Sequence, residues 1–137
     1  MKSFFGGAAA LALALIPLTA HAAGNLAAPP AIDLDLKISG TAPTLEPLRF
    51  EIETGDYYRL NLTSDGAAEF MFRAEDFLAN IHIRLVVISG IELHMQNMLF
   101  RGIEFDEGGT ASFTFVPIRP GEYEFTVGDV AGTFVVR

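Results

Sequence analysis

No cysteine occurs anywhere in the chain. That absence removes disulfides, a lipid-modified N-terminal cysteine of the bacterial kind, and every site that depends on a thiolate, so the fold is held by its core alone. Histidine is scarce. Of 3 in all, only His82 and His94 lie beyond the N-terminal segment. They lack H-x-x-x-H spacing, and neither a Ser or Cys nucleophile motif nor a Gly-rich phosphate loop accompanies them. No catalytic constellation can be assembled from this set, so the chain reads as a non-enzyme with no catalytic residues. Cations are also few, 9 Lys+Arg against 17 Asp+Glu for a net charge of −8. That balance argues against nucleic acid and anionic membrane surfaces, both of which want clustered positive charge. Beyond the N-terminal segment no apolar run reaches the length of a membrane span, so the mature chain is not expected to insert.

What is present begins with an export signal. Lys2 supplies a positive start, Phe4 to Leu18 an apolar stretch, and Ala20-His21-Ala22 an A-x-A cleavage site. Residues 1–22 therefore read as a signal peptide, 23–31 as a small, Pro-rich flexible leader, and 32–137 as one exported domain, with a periplasmic location expected. Cleavage would leave 115 of the 137 residues and remove one cation, giving 8 Lys+Arg against 17 Asp+Glu, a net of −9. A domain of that size buries roughly two-thirds of its unfolded surface and needs no staple.

Within the domain the hydrophobic period is two. Ile32, Leu34, Leu36 and Ile38 alternate with Asp33, Asp35 and Lys37; Leu48, Phe50 and Ile52 form the apolar side of the next run, and Tyr58, Leu60 and Leu62 that of a third. Further strands are read at Glu69–Phe72, His82–Ile88, Ile91–Met98, Ile103–Phe105 and Thr110–Val116. Ala74–Ile81 is the single stretch with helical character. The chain closes on a hairpin. Pro120-Gly121 launches a strand in which Tyr123, Phe125 and Val127 alternate with Glu122, Glu124 and Thr126. A loop at Gly128–Gly132 then leads to a last strand, Thr133–Val136. About eight short strands at this spacing predict an all-β sandwich. Its core should be Phe50, Tyr58, Leu60, Leu62, Phe72, Phe113, Phe115, Tyr123, Phe125 and Phe134.

Four motifs occur in order: Phe50-x4-Gly55-x2-Tyr58-Arg59-Leu60-x-Leu62; Gly66-x2-Glu69-x2-Phe72-x-Ala74-x-Asp76-Phe77; Gly102-Ile103-Glu104-Phe105-x2-Gly108-Gly109; and Phe115-Val116-Pro117-x2-Pro120-Gly121-x-Tyr123. From about residue 45 onward this resembles the small periplasmic cupredoxin-like copper proteins of bacteria. The resemblance implies a Greek-key β-sandwich. It also implies a type-1 copper site with two imidazoles, a thiolate and a weak axial methionine. The position matching the first histidine is Phe70, flanked by Glu69 and Met71. The loop that would carry the other ligands, Val127–Gly132, holds no Cys, His or Met.

The expectation is thus a non-catalytic binding or accessory protein on a cupredoxin-like frame, with no cofactor and an unknown protein or metal-ion partner. The alternative is a periplasmic copper-binding or carrier protein with a soft Met/His site, because thioether and imidazole suit Cu(I). Its candidates are His94 and Met98, joined by Met71 or His82, with Met95 beside them. If Ser89-Gly90 closes a two-residue hairpin, His82 pairs with Asn97 and shares a face with Met95, while His94 and Met98 fall opposite beside Ile81, Ile83, Leu85 and Val87. The acidic groups Glu69, Glu75, Asp76 and Asp106-Glu107 lack the spaced loop of a Ca²⁺ site and read as turn residues and a helix start.

Overall fold

A computed structural model describes residues 30–89, 92–96 and 99–137, with only the backbone of 92–96, 99 and 100. Residues 1–29, which include the expected signal peptide and most of the expected leader, lie outside the described residues. No described helix is long and apolar enough to cross a membrane.

Eleven described strands and one helical turn make the domain. In chain order they are β1 (Ile32–Ser39), β2 (Thr44–Glu46), β3 (Arg49–Ile52), β4 (Tyr58–Ser64), β5 (Phe70–Arg73), α1 (Glu75–Leu78), β6 (Ile81–Ile88), β7 (Glu92–Gln96), β8 (Leu99–Phe105), β9 (Gly109–Pro117), β10 (Gly121–Val127) and β11 (Val130–Val136). The first sheet has the order β2-β1-β4-β9-β6 and the second β3-β11-β10-β5-β8-β7. β1 runs parallel to β4 and β3 parallel to β11; the remaining pairs are antiparallel. This is the two-sheet sandwich that the period-2 pattern predicts, with more strands than the eight expected.

All ten predicted core residues are buried. Phe77 and Phe105, which no strand alternation marks as core, are fully buried beside them. Phe77 enters from α1, where Ala74 leads into a single turn closed by the Leu78 and Ala79 amides. Its ring stacks on Phe134 at 4.0 Å with the planes 8° apart, and meets Phe115 edge-on at 5.4 Å. Phe115 belongs to the first sheet and Phe134 to the second, so one ring ties the layers together. Phe125 stands among Phe134, Phe72 and Phe50 at 5.0, 5.8 and 6.1 Å. Tyr123 turns its hydroxyl back to donate to the Arg119 carbonyl at 3.0 Å, fixing the Pro120-Gly121 corner that launches β10.

Three local expectations are corrected. Leu48 is 51 % exposed rather than inward; it precedes β3, and its carbonyl accepts from the Thr133 amide. The closing loop is only Gly128-Asp129, because Val127 pairs with Val130 and Gly132 lies inside β11, opposite Phe125. Gly132 is not a turn residue: a Cβ there would overlap the Phe125 ring and the Leu48 carbonyl.

The third correction is the largest. β6 does not fold back onto β7. It pairs with β9 in the first sheet, whereas β7 pairs with β8 in the second. Pairing with β9 sets Ile83 against Phe115 and Val86 against Phe113, which lets β6 pack its apolar residues on the core. A bulge between Ile83 and Leu85 then inverts the alternation. Leu85 and Val87, expected beside Ile81 and Ile83, point outward instead and are 54 % and 57 % exposed.

Two substitutions probe this core. Phe125→Ala should cost about 3–5 kcal/mol in chemical denaturation, as expected for a fully buried ring. Gly132→Ala should cost about 1–3 kcal/mol, because the added methyl meets a backbone carbonyl as well as a ring. A loss well below 1 kcal/mol in either would place these residues outside the core.

Candidate functional site at the loop end of the sandwich

Four connections meet at one end of the sandwich: β1–β2, β4–β5, β8–β9 and β10–β11. Asp65, just after β4, clasps two of them. Its carboxylate accepts from the Ala67 amide in its own loop and from the Gly40 amide in the β1–β2 loop, both at 2.9 Å. Its own amide donates to the Ile38 carbonyl. These two donors, Ala67 first and Gly40 second, hold the Asp65 carboxyl below its usual range. Gly66, at φ +72°, lies so close to the β8–β9 turn that a Cβ would overlap Gly108. A groove of about 350 Å³ runs beside the clasp along the outer side of β1, β2 and β4, among Asp35, Lys37, Thr44, Glu46 and Thr63.

The β10–β11 loop closes the same end. Gly128 takes φ +55°, the left-handed geometry favoured in two-residue hairpin loops. A Cβ at Gly128 would stand 3.1 Å from Pro43 Cγ and 3.9 Å from the Phe70 ring. Phe70 therefore lies beside the loop, where the resemblance places the first ligand, and its phenyl packs on the core cluster. At this end a phenyl ring, a proline and a two-residue hairpin loop stand against one another. This residue set does not fit type-1 copper, because no thiolate exists to bind it.

The alternative Met/His set is divided by the sheets. His82 pairs with Val116 in the first sheet, on its outer side. The second sheet holds the others. Met71 pairs with Glu104, and its side chain lies over Gly102, where a Cβ would come within 3.6 Å of Sδ. The His94 backbone pairs with Gly102 from the other side. Met71 and His94 thus approach one point of β8, and His82 belongs to the opposite layer. The partner expected for His82, Asn97, lies with Met98 outside the described residues; the described partner of His82 is Val116. Among the described residues, no three His, Asp or Glu side chains are grouped closely enough to hold a metal ion. Of the acidic residues singled out in the sequence, Glu75 is engaged by Arg101 at 2.6 Å. Sequence reasoning missed Asp65 as an organiser; the Ser64-Asp65-Gly66 turn was its only signal.

No protein-family model and no curated protein matches the chain. Solved structures do. Dithionite-reduced auracyanin from the photosynthetic bacterium Roseiflexus castenholzii is 15 % identical, with a TM-score of 0.52 over 79 % of this chain and 99 % of that one. An oxidised amicyanin variant is 11 % identical over 77 % of this chain and 82 % of its own, with a TM-score of 0.41. A Cu(I) amicyanin variant is 10 % identical over 82 % and 89 %, with a TM-score of 0.43. The fold is a cupredoxin-like Greek-key β-sandwich.

The Asp65 clasp predicts a pH dependence. A carboxyl whose folded pKa is depressed contributes stability above its unfolded value of 3.8, and that contribution is lost as pH falls through the lower folded value. Asp65→Asn should therefore be less stable than the parent at neutral pH, and the gap should narrow as pH drops below about 4. Thermal melts of both proteins across that range check it; a gap independent of pH would show that the charge of Asp65 contributes nothing.

Proposed function

We propose that this chain is a non-catalytic, exported binding protein that uses the cupredoxin-like frame without type-1 copper. The observation that carries the reading is the loop end itself. Phe70, Pro43 and Gly128 pack together where the resemblance places metal ligands, in a chain with no cysteine. A frame of this kind still offers rigid loops and sheet edges for recognition. The N-terminal signal supports work in the periplasm, as an accessory or interaction module.

The test is optical and analytical. Protein purified from its native compartment should carry no stoichiometric copper and should show no thiolate-to-Cu(II) charge-transfer band when Cu(II) is added. An intense blue or violet band would overturn the reading.

A second reading is favoured by one observation, the approach of Met71 and the His94 backbone to Gly102 from opposite sides. In it the chain carries Cu(I) on the outer side of the second sheet, through His94 with Met71 and Met98. His82 drops out because it lies in the other layer. Anaerobic Cu(I) titration against a competing chelator decides this. His94→Ala and Met71→Ala should each weaken binding at least about tenfold, or ~1.4 kcal/mol, while His82→Ala should leave it unchanged. Equal, weak binding by parent and variants would remove the site.

A further inference from the structure

We infer that Asp65-Gly66 is a latent modification site: Asp65 isomerises to isoaspartate once the β1–β2 loop leaves it, and is kept intact while that loop is docked. The inference goes beyond the binding reading and does not depend on it.

Isomerisation begins when the amide nitrogen of the following residue attacks the aspartate's side-chain carboxyl carbon. A side chain on that residue hinders the attack, and glycine has none. Only Asp65 precedes a glycine; the other aspartates precede Leu, Tyr, Phe, Glu or Val, and no asparagine precedes glycine. In the first step the bond from Gly66 N to Asp65 Cγ forms. The carboxyl hydroxyl and the amide hydrogen leave as water, and a cyclic imide closes. In the second step water opens that ring. Opening at the main-chain carbonyl leaves the chain running through the former side chain, which is isoaspartate. Water is the only co-reactant, and Asp65 is exposed to it.

The fold restrains every group in the first step. Asp65 Oδ1 accepts from the Ala67 amide and Oδ2 from the Gly40 amide, each at 2.9 Å. The attacking nitrogen is held as well, because the Gly66 amide donates to the hydroxyl of buried Ser64 at 3.1 Å. The Asp65 amide donates to the Ile38 carbonyl at 3.1 Å, which anchors the main chain to the end of β1. The ring cannot close with both oxygens and the amide hydrogen in these bonds. The amides on the carboxylate also favour its ionised form, whose oxygen leaves poorly. The bonds to Ala67 and Ser64 are local, as such side-chain contacts at turns commonly are. Those to Ile38 and Gly40 come from β1 and its loop, 25 residues away for Gly40. A short peptide has neither, so the loop is the part of the lock that only the folded chain supplies.

Isomerisation would also undo the site that restrained it. Isoaspartate places a methylene in the main chain before Gly66. Gly66, at φ +72°, lies so close to the β8–β9 turn that even a Cβ would overlap Gly108. The added atom has no room there. It pushes Gly66 off that turn and draws the carboxylate away from Gly40, so the β1–β2 loop stays free.

The test compares three samples aged at neutral pH: the folded protein, the same protein in guanidinium, and a synthetic peptide spanning Leu62 to Ala68. Isoaspartate is read by enzymatic methylation and located by mass spectrometry of fragments. It should form at Asp65 in the peptide and the unfolded chain, and at least about tenfold more slowly in the folded protein, where it waits for local opening. Gly40→Ala strains a residue at φ +84° and brings a Cβ to 3.1 Å from the Ala42 carbonyl, which loosens the loop. It should speed the folded-state reaction at least about threefold, as a small shift in the opening equilibrium would. Ser64→Ala should also speed it, relative to a peptide of the same sequence. The separated isoaspartate form should melt below the parent. Equal rates in folded protein and peptide, an isoaspartate form that melts with the parent, or isoaspartate appearing first at another aspartate would overturn the inference. So would Gly40→Ala that stays folded by amide NMR without faster reaction. If Gly40→Ala does not fold, the comparison of parent with peptide still decides.

Discussion

The structure depends on the contact of Phe77 with Phe134 and Phe115. No disulfide can cross-link the two layers, so the layers hold only if side chains from both interlock. α1 is four residues long and could not persist as a helix by itself. Its role is to drive one phenyl ring between a first-sheet residue and a second-sheet residue. Once Phe77 is seated, Phe134 and Phe125 are fixed, and Phe125 in turn requires a glycine at position 132. The hairpin β10–β11 is therefore tied to the core by ring packing along its length as well as by its ladder of hydrogen bonds.

That packing sets what the loop end can do. Gly132 under Phe125 and the Val127–Val130 pair leave β10 and β11 no slack, so their connection is two residues long. A loop of that length has no room for three ligand side chains, and Phe70 and Pro43 occupy the space above it. The Asp65 clasp completes the end by tying the β1–β2 loop to the β4–β5 loop through backbone amides. The loop end is built as a closed cap, held by an aromatic ring and a charge-assisted pair of hydrogen bonds.

Much of this was legible in the sequence. Strict alternation marked the inward faces of β1, β4 and β10, because a two-residue period has one reading when one face is buried. The resemblance pointed to Phe70 as the position matching a ligand, and the structure sets its ring near the closing loop. What remained hidden was long-range or irregular. Phe77 sits in a single helical turn, where no period can be established. Gly132 looked like punctuation, but its smallness serves the Phe125 ring. The β6–β7 expectation failed because the Ser89-Gly90 signal is local, whereas the choice of β9 as partner depends on where Phe113 and Phe115 stand. The bulge at Arg84 has no sequence signature at all, yet it decides which β6 residues meet solvent.

The bulge also sets what the edge of the first sheet shows to solvent. If β6 kept a regular alternation, Leu85 and Val87 would follow Ile81 and Ile83 onto the core side, and Val86 and Ile88 would face outward with Arg84. One inserted residue instead leaves the core its isoleucines and turns a leucine, a valine and a guanidinium outward together. Bulges usually protect edges by twisting them away from neighbours. Here the same device leaves the longest described edge strand with Leu85 and Val87 turned to solvent.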